Sequence, residues 1–270
     1  MELSFSKMNG AGNDFVLVDN RDLSLALSPE QIEHICDRHR GIGADGLLAV
    51  EPAHDGADFR MRYYNSDGGE AEMCGNGARC FARFAARLLP AMPGVLSFET
   101  PAGIILARFD SANVTINMST PKDLRPPSRL LIEGNELDVH FLNTGVPHAV
   151  VFVEDVENLD VRAWGSALRW HESFAPKGTN ANFAQPMPDG VLVLRTYERG
   201  VEGETLACGT GVCAAALLHH LETSAPSPVG VRVRGGETLA VGFTATGDGA
   251  FNEVTLTGPA DFVFEGVYPL

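Results

Sequence analysis

The stretch Cys74-Gly75-Asn76-Gly77 recurs in the second half of the chain as Cys208-Gly209-Thr210-Gly211, and mostly small or apolar residues follow each copy. A cysteine directly before a helix lies among unsatisfied backbone N–H groups at the positive end of the helix dipole, and both favour the thiolate. The glycines leave those N–H groups accessible to a carboxylate. One copy alone also fits a glycine turn behind a buried, inert cysteine. Two copies predict two related halves, each with one reactive thiol, that together form a two-base proton-transfer site.

The size and charge of the chain bound its organisation and its partners. With 270 residues and 44% hydrophobic content, the chain is long enough for one large domain or two smaller ones. The internal repeat favours two. The formal net charge of −15 repels both the phosphates of nucleic acids and anionic membrane surfaces. We therefore expect neither a nucleic-acid partner nor a membrane partner.

The first residues and the cysteines indicate the compartment. Residues 1–7 lack the basic and apolar regions of a secretory leader, and no apolar run approaches the ~18 residues of a membrane span. Five cysteines are an odd number, which argues against a disulfide framework and for a reducing, cytoplasmic location. Their spacing differs from the Cys-x2-Cys zinc hook, so we expect no metal. Cys36, Cys80 and Cys213 are expected to be small apolar core residues.

Short β-like runs alternate irregularly with a few helical stretches, which predicts a mixed α+β fold. The clearest strand signals are residues 15–18, 104–107, 149–153 and 191–194, and the helix signals are residues 29–38, 76–89, 160–169 and 210–221. The first helix has Ser28 as its expected N-cap and Pro29 at its first position. The last helix is apolar on all faces, so we expect a curved sheet to enclose it.

One polar stretch is the best candidate for a linker between two domains. Residues 119–127 contain three prolines, and each side of this stretch then carries one Cys-Gly-x-Gly element. A second Pro- and Ser-containing stretch, residues 223–228, is interpreted as a surface loop of the second half.

Polar residues end the strand-like piece that precedes each repeated cysteine. Asn65 lies before the first cysteine, and Glu198 and Arg199 lie before the second. Arginine can bind a carboxylate with two parallel hydrogen bonds, and glutamate can bind an ammonium group. These residues are therefore candidates for binding a zwitterion such as an amino acid. The alternative for each residue is an ordinary turn or a surface ion pair.

Seven segments, in order from about residue 5 to about residue 220, resemble the diaminopimelate epimerase family. They are Gly10-Ala11-Gly12-Asn13-Asp14-Phe15, Arg38-His39-Arg40-Gly41-Ile42-Gly43-Ala44-Asp45-Gly46, Asn65-Ser66-Asp67-Gly68, Met73-Cys74-Gly75-Asn76-Gly77-Ala78-Arg79-Cys80, Thr144-Gly145-Val146-Pro147-His148, Asn180-Ala181-Asn182-Phe183, and Tyr197-Glu198-Arg199-Gly200 through Cys208-Gly209-Thr210-Gly211. Each segment alone is a weak signal, whereas seven in register are highly specific.

The resemblance implies a cofactor-free epimerase that interconverts LL- and meso-diaminopimelate in bacterial lysine and peptidoglycan synthesis. It implies two pseudo-symmetric domains, each a mixed β-barrel around a central helix, with the active site in the cleft between them. The first domain would comprise residues 1–120 and about 262–270, and the second would comprise residues 121–261. A homodimer is the oligomeric state that the resemblance implies.

The resemblance also implies a role for particular residues. Cys74 and Cys208 would be the opposed base and acid, with His148 and Glu198 close to the thiols as assisting groups. The substrate contacts implied are Asn13, Asn65, Gly75, Asn76, Asn180, Glu198, Arg199, Gly209 and Thr210.

Two departures from the family pattern affect the distal end of the expected substrate pocket. Many members have Asn at the position of Val146, and the loop between Glu198 and Cys208 is one residue longer than in some members. Two other functions remain as alternatives. One is a racemase or isomerase of the same fold that acts on proline, hydroxyproline or another small acid, and the other is a non-enzymatic binding protein for a small molecule. Retention of both cysteines argues against the binding protein.

Overall fold

Four α-helices and seventeen strands form in the part of the chain that the computed structural model describes, residues 2–71, 73–247 and 249–270. The helices are α1 Pro29–Cys36, α2 Gly75–Arg87, α3 Val161–Arg169 and α4 Gly209–Thr223, with a short 3-10 helix at Glu172–Phe174. The strands are β1 Glu2–Gly10, β2 Asn13–Asp19, β3 Gly46–Glu51, β4 Phe59–Asn65, β5 Val95–Thr100, β6 Gly103–Asp110, β7 Asn113–Asn117, β8 Lys122–Ile132, β9 Asn135–Asn143, β10 Pro147–Phe152, β11 Asn180–Pro186, β12 Leu192–Glu198, β13 Gly203–Thr205, β14 Val229–Arg232, β15 Thr238–Ala245, β16 Phe251–Pro259 and β17 Asp261–Pro269.

The elements predicted from the sequence are confirmed, with shifts of one to a few residues at their ends. All four strand signals fall in strands, namely β2, β6, β10 and β12. The Ser28 hydroxyl accepts the backbone N–H of Gln31, and the Gln31 side chain accepts the N–H of Ser28, so α1 begins with a complete capping box. The helix ends at Cys36 rather than at residue 38 because Asp37 adopts extended backbone angles.

The predicted linker is wrong over most of its length. Lys122 to Pro127 form the first half of β8, which pairs with β9. The pairing is irregular there, with register shifts on both sides of Arg125. Two consecutive prolines are tolerated because this half of the strand is exposed and does not need every ladder hydrogen bond. The second Pro- and Ser-containing stretch is a loop from Ser224 to Pro228, as predicted, and α4 extends to Thr223.

The chain separates into two compact units, Met1–Ile116 with Gly258–Leu270, and Asn117–Thr257. In the first unit, β2 is parallel to β3, β3 is antiparallel to β4, β4 is parallel to β5, and β5 is antiparallel to β6. Helix α1 connects the first parallel pair and α2 connects the second. Helix α2 packs against strands β1 to β6, and β17 pairs antiparallel with β1.

The second unit repeats this order of pairings. Strands β10 and β11 are parallel, β11 and β12 antiparallel, β12 and β14 parallel, and β14 and β15 antiparallel. Helices α3 and α4 connect the two parallel pairs, and α4 packs against β9, β10, β11, β12, β14 and β15. Residues 211–219 of α4 are all buried, which confirms the enclosed helix predicted from its all-apolar surface.

An ion pair also recurs at the same place in both units. On β4, the Arg62 guanidinium lies 2.7 Å from Glu70, and on β12 the Arg195 guanidinium lies 2.6 Å from Glu204. The chain therefore folds as a mixed α+β protein of two pseudo-symmetric units, each with strands around one central helix. No helix in the described ranges is both long enough and apolar enough to cross a membrane.

Candidate active site

Cys74 is the N-cap residue of α2, the central helix of the first unit. Its sulfur accepts the backbone N–H of Gly77 across 3.5 Å, which is a normal length for a hydrogen bond to sulfur. The side chain is half-buried. A backbone donor and a helix N-terminus both stabilise negative charge on a sulfur, so the local structure suits a thiolate.

A chain of hydrogen bonds holds two predicted substrate residues beside α2. The Asn76 amide nitrogen donates to Asn13 Oδ1 at 2.7 Å, and the Asn13 amide nitrogen donates to Asp45 Oδ2 at 2.8 Å. The buried Arg79 guanidinium donates to Asn76 Oδ1 at 2.8 Å. The charges at the two ends, Arg79 and Asp45, fix both amides in one orientation because one end only donates and the other only accepts.

Two cations bind the carboxylates next to these amides. The Lys7 ammonium lies 2.8 Å from an Asp14 carboxylate oxygen, and Arg38 donates to both oxygens of Asp14 and to Asp45. Burial raises the pKa of Asp14, but the hydrogen bonds from Arg38 and Lys7 outweigh it and keep the pKa below its ordinary value. Asp14 is therefore a fixed anion, and Arg38 links it to Asp45, which holds the Asn13 side chain.

Cys208 is the N-cap residue of α4 and is buried. Its sulfur lies 3.6 Å from the Thr210 hydroxyl, and its thiol hydrogen-bonds to the Glu198 carboxylate. Burial raises the pKa of Glu198, while hydrogen bonds from Thr205, at 2.6 Å, and from Cys208 act in the opposite direction. The Cys208 sulfur thus has a carboxylate acceptor and a hydroxyl within reach.

The polar residues around Cys74 and those around Cys208 form two clusters, one in each unit. His148, predicted as an assisting group, lies in the Cys208 cluster. Its Nε2 is 2.9 Å from the Thr210 hydroxyl, and its Nδ1 is 3.1 Å from the Asn182 amide nitrogen. The ring is fully buried, and burial together with the nearby Arg199 charge lowers its pKa from 6.5 to about 3. His148 is therefore a neutral hydrogen-bonding group across the physiological pH range.

The remaining predicted residues lie at the ends of the same strands and helices. The Asn180 side chain accepts the Arg199 backbone N–H at 2.8 Å and donates to the Pro147 carbonyl at 3.0 Å, so it fixes the end of β12. Asn65 is exposed at the end of β4. Gly75 and Gly209 are the first residues of α2 and α4 and are both buried.

Sequence reasoning missed two residues beside His148, namely Asn182 and Thr196. Asn182 and Thr196 are fully or almost fully buried, and the Thr196 hydroxyl donates to Asn182 Oδ1 at 3.0 Å. Asn180 and Asn182 are two residues apart on β11, so both side chains are on one face of the sheet. Two polar residues at alternate positions of an otherwise apolar strand are a signal that this face meets other polar groups.

The structure is also informative about the other three cysteines and about metals. Cys36, Cys80 and Cys213 are buried on helices, which confirms their prediction as core residues, and burial raises the pKa of Cys36 and of Cys80 to about 12. Among residues 2–71, 73–247 and 249–270, no group of three or more His, Cys, Asp or Glu side chains is arranged to hold a metal ion.

Comparison with known proteins identifies the family. The family model for diaminopimelate epimerase matches residues 5–123 and 140–263. The diaminopimelate epimerase of Aquifex aeolicus is 43% identical over 275 residues, which cover 98% of this chain and 97% of that protein. The diaminopimelate epimerase of Chlorobaculum tepidum is 42% identical over 266 residues, which cover 97% of this chain and 100% of that protein.

Solved structures of lower identity share the fold. A PhzF-family phenazine biosynthesis protein of Bacillus anthracis aligns with a TM-score of 0.77 at 16% identity, covering all of both chains. A hydroxyproline epimerase of Agrobacterium vitis aligns with a TM-score of 0.68 at 18% identity, covering 98% of this chain and 92% of that one. The match of the family model over most of the chain, and the near-complete alignments to curated relatives, show that this chain belongs to the diaminopimelate epimerase family.

Proposed function

We propose that the protein is an isomerase that epimerises LL-2,6-diaminopimelate to meso-diaminopimelate without a cofactor, a step of lysine and peptidoglycan precursor synthesis. The observation that carries the proposal is the repeated N-cap cysteine. Cys74 and Cys208 each begin the central helix of one unit, each is followed by Gly-x-Gly, and the chain aligns with curated diaminopimelate epimerases over nearly its whole length. The relatives of lower identity support the fold and do not select a substrate.

The chemical problem is the weak acidity of an amino-acid α-hydrogen. Without an electron sink such as pyridoxal phosphate, the protein itself must stabilise the negative charge that develops when the proton leaves. Backbone N–H groups at the starts of α2 and α4 are the groups suited to this, since they can bind the substrate carboxylate at the positive end of a helix dipole. Exclusion of water would strengthen each of these contacts.

We propose a two-base mechanism for the proton transfer, with the substrate in the cleft between the domains. One thiolate removes the proton from one face of the α-carbon, and the thiol on the opposite face donates a proton, so the configuration inverts. The hydrogen bond from the Gly77 N–H suits Cys74 to be the thiolate, and the Glu198 carboxylate suits Cys208 to carry the proton. In the reverse direction the two sulfurs exchange roles.

Recognition of the substrate is proposed to use the polar residues around each cysteine. The amides of Asn13 and Asn76 and the end of β4 at Asn65 would bind polar groups of one amino-acid head. Glu198 and Arg199 supply one anionic and one cationic group at the end of β12, and a zwitterion needs both. Val146 lacks the amide of the Asn found in many members, so we assign it no polar contact.

Direct conversion tests the activity. Purified protein is mixed with LL-diaminopimelate and no added cofactor, and the stereoisomers are separated over time. We expect meso-diaminopimelate to accumulate to equilibrium. No conversion of LL-diaminopimelate, together with turnover of proline or 4-hydroxyproline, would overturn the assignment in favour of a related racemase. Binding without turnover of any of these would indicate a binding protein.

Isotope incorporation tests the two-base mechanism. In deuterated water at early conversion, new meso product should carry α-deuterium while the recovered LL substrate stays almost entirely protiated, because the donating thiol carries a solvent-derived hydrogen. Mass spectrometry of the separated isomers in the first few per cent of reaction measures this. Substantial transfer of the original hydrogen into product would indicate a single base that serves both faces.

We also propose that the protein is a cytoplasmic homodimer. Strand β17 of the first unit exposes apolar side chains, among them Val263 and Val267, each 59% exposed. Adjacent exposed apolar side chains on a monomer favour association. Light scattering at several protein concentrations should give twice the mass of one chain, and a Val263→Asp substitution should shift the protein toward one chain. A monomer at all concentrations would refute the homodimer.

A further inference from the structure

The hydrogen bonds of the Asn182 side chain determine where its amide nitrogen lies. One terminal atom lies 2.9 Å from the Ala149 carbonyl oxygen, and the other is 3.0 Å from the Thr196 hydroxyl. A carbonyl oxygen can only accept a hydrogen bond, so the atom that faces it is the NH2 group. The orientation of the amide is thus fixed by the backbone of β10 and by β12.

This orientation decides which nitrogen of His148 carries the proton. The same NH2 group lies 3.1 Å from His148 Nδ1, and an NH2 group only donates, so Nδ1 is an acceptor and carries no hydrogen. A neutral imidazole then carries its hydrogen on Nε2. Nε2 lies 2.9 Å from the Thr210 hydroxyl, whose oxygen must accept this N–H.

Because the Thr210 oxygen accepts from His148, the Thr210 hydroxyl can donate its own hydrogen to the Cys208 sulfur. With its oxygen accepting from His148, the hydroxyl keeps its own hydrogen for an acceptor, and the Cys208 sulfur lies 3.6 Å away. All hydrogen bonds from Asn182 to Cys208 therefore point the same way. A hydroxyl that donates to a sulfur stabilises its thiolate form.

We propose that Asn182 is a positioning residue for proton transfer at Cys208, because its amide sets the tautomer of His148 and thereby directs the Thr210 hydroxyl toward the sulfur. This inference rests on the proposed function of Cys208. The lowered pKa of His148 agrees with it, since the ring stays neutral and keeps its single hydrogen on Nε2. His148 then transmits a hydrogen-bond direction and does not itself exchange protons with the substrate.

The titratable and charged groups on the elements around the cluster must be kept constant. Glu198 at the end of β12 accepts from the Cys208 thiol, and Arg199 follows it and acts on His148. His140 and Glu222 are paired at 3.5 Å, and Glu222 lies in the last turn of α4, away from its N-terminus. The substitutions chosen for the test leave all four of these residues unchanged.

The test reverses the chain of hydrogen bonds with Asn182→Asp. An aspartate in this place can accept from His148 Nδ1, so the ring hydrogen moves to Nδ1 and Nε2 becomes the acceptor. The Thr210 hydroxyl then donates to Nε2 and no longer to the sulfur. We expect the Cys208 thiolate to form about one pH unit higher than in the parent, the size expected for the loss of one hydrogen bond to a charged group.

The thiolate is measured by ultraviolet absorbance in the full-length chain with Cys74→Ala as the parent. Burial raises the pKa of the thiols of Cys36 and Cys80 to about 12, so they do not titrate in the working range. The same chain with Cys208→Ala identifies the Cys208 signal by difference. The exposed Asn135 supplies a matched control, since Asn135→Asp adds the same charge far from the cluster and should leave the titration unchanged.

A second variant keeps the inference testable if Asn182→Asp fails to fold. Thr210→Val has nearly the same shape as the parent but lacks the hydroxyl, and it should give the same upward shift, whereas Thr210→Ser should titrate as the parent does. Combining Asn182→Asp with Thr210→Val separates the two effects of the aspartate, because the lost donor is already absent in Thr210→Val and any further shift measures the direct repulsion between the new carboxylate and the thiolate. An unchanged titration in either single variant overturns the inference. Failure of the proposed function is seen separately, as no conversion of LL-diaminopimelate by the wild-type protein.

Discussion

The two central helices begin alike, but different side chains lie beneath their first turns. Phe15 on β2 pairs with the first residue of β3, and His148 on β10 pairs with the first residue of β11, so the two occupy equivalent positions. A Cβ added to Gly77 would lie 3.4 Å from the Phe15 ring, and one added to Gly211 would lie 3.3 Å from His148 Cε1. The same backbone frame is therefore lined by an apolar ring in one unit and by an imidazole in the other.

The next inward positions differ in the same sense. Leu48 on β3 and Asn182 on β11 are equivalent in register, and both are fully buried. In the first unit the polar contacts of the helix start come instead from the Asn13 loop and from Arg79. The repeat therefore supplies the position of each sulfur, while the neighbouring strands decide which hydrogen-bond partners lie at that helix start.

The largest expected effect comes from removing either sulfur. Cys74→Ala and Cys208→Ala should each lower the epimerisation rate by about 10³-fold or more, because in the proposed mechanism each sulfur is the proton-transfer group on one face of the α-carbon. Cys80→Ala and Cys213→Ala, on the same helices, should remain active with a lower Tm. Turnover and Tm of the four variants decide this. Retained activity in Cys74→Ala would mean that the two clusters do not share one reaction.

Oxidation tests whether the two clusters work on one carbon atom. If both sulfurs flank the α-carbon of the substrate, they should be able to approach disulfide distance when no substrate lies between them. An oxidant should then inactivate the enzyme. We expect full recovery with dithiothreitol. Peptide mapping of the inactive form should find Cys74 linked to Cys208. A link between Cys74 and Cys80, or sulfinic acid alone, would refute this geometry.

The imidazole beneath the second helix should make the fold sensitive to acid. In the unfolded chain His148 takes up a proton below about pH 6.5, but in the folded state its pKa is about 3, so folding excludes that proton. Stability is therefore lost as the pH falls, by about 2 kcal/mol between about pH 7 and about pH 5. His148→Gln should remove this part of the pH dependence of the unfolding free energy.

The control for this prediction is a substitution at an exposed residue that does not titrate. Asn135 lies on the surface, and Asn135→Gln should leave the pH dependence of unfolding as it is in the wild type. Equal slopes for the wild type and His148→Gln would show that folding does not change the pKa of the imidazole.

The smallest effect should be a difference in reactivity between the two thiols. Cys74 is half-buried and accepts a backbone N–H, whereas Cys208 is buried and hydrogen-bonds to a carboxylate. In the protein without substrate, iodoacetamide should modify Cys74 roughly tenfold faster than Cys208. Peptide mass spectrometry over time gives both rates, and Cys36 serves as the unreactive reference. Faster modification of Cys208 would reverse the assignment of resting thiolate and thiol.

Sequence reasoning predicted the features that depend on local chemistry. The capping box at Ser28, the all-apolar α4 and the two N-cap cysteines were predicted because each is encoded within a few neighbouring residues. The linker prediction was wrong because consecutive prolines such as Pro126 and Pro127 usually exclude a strand. In this protein an exposed and irregularly paired half-strand tolerates them.

The missed parts of the candidate site are contacts between residues distant in the sequence. Asn182 contacts His148 across two parallel strands, and Asp45 contacts Asn13 only because β3 pairs with β2. An asparagine in a strand does not by itself indicate its partner. Such networks become predictable only once the register of the sheet is known.

The pairing of β17 with β1 has a consequence for how the chain can be re-cut. In the second unit, β8 and β9 form a hairpin in which Ile132 pairs with Asn135 around the two-residue turn Glu133-Gly134, both at positive φ. In the first unit, Pro269 pairs with Glu2 in the same antiparallel manner. A two-residue Asn-Gly link between Pro269 and Glu2 would therefore make a matching hairpin. With new ends opened before β8, such a circular permutant would read as two consecutive copies of one motif, each starting with its own hairpin. We expect the permutant to fold and to epimerise. An unfolded product would show that this fold depends on the order of its elements along the chain.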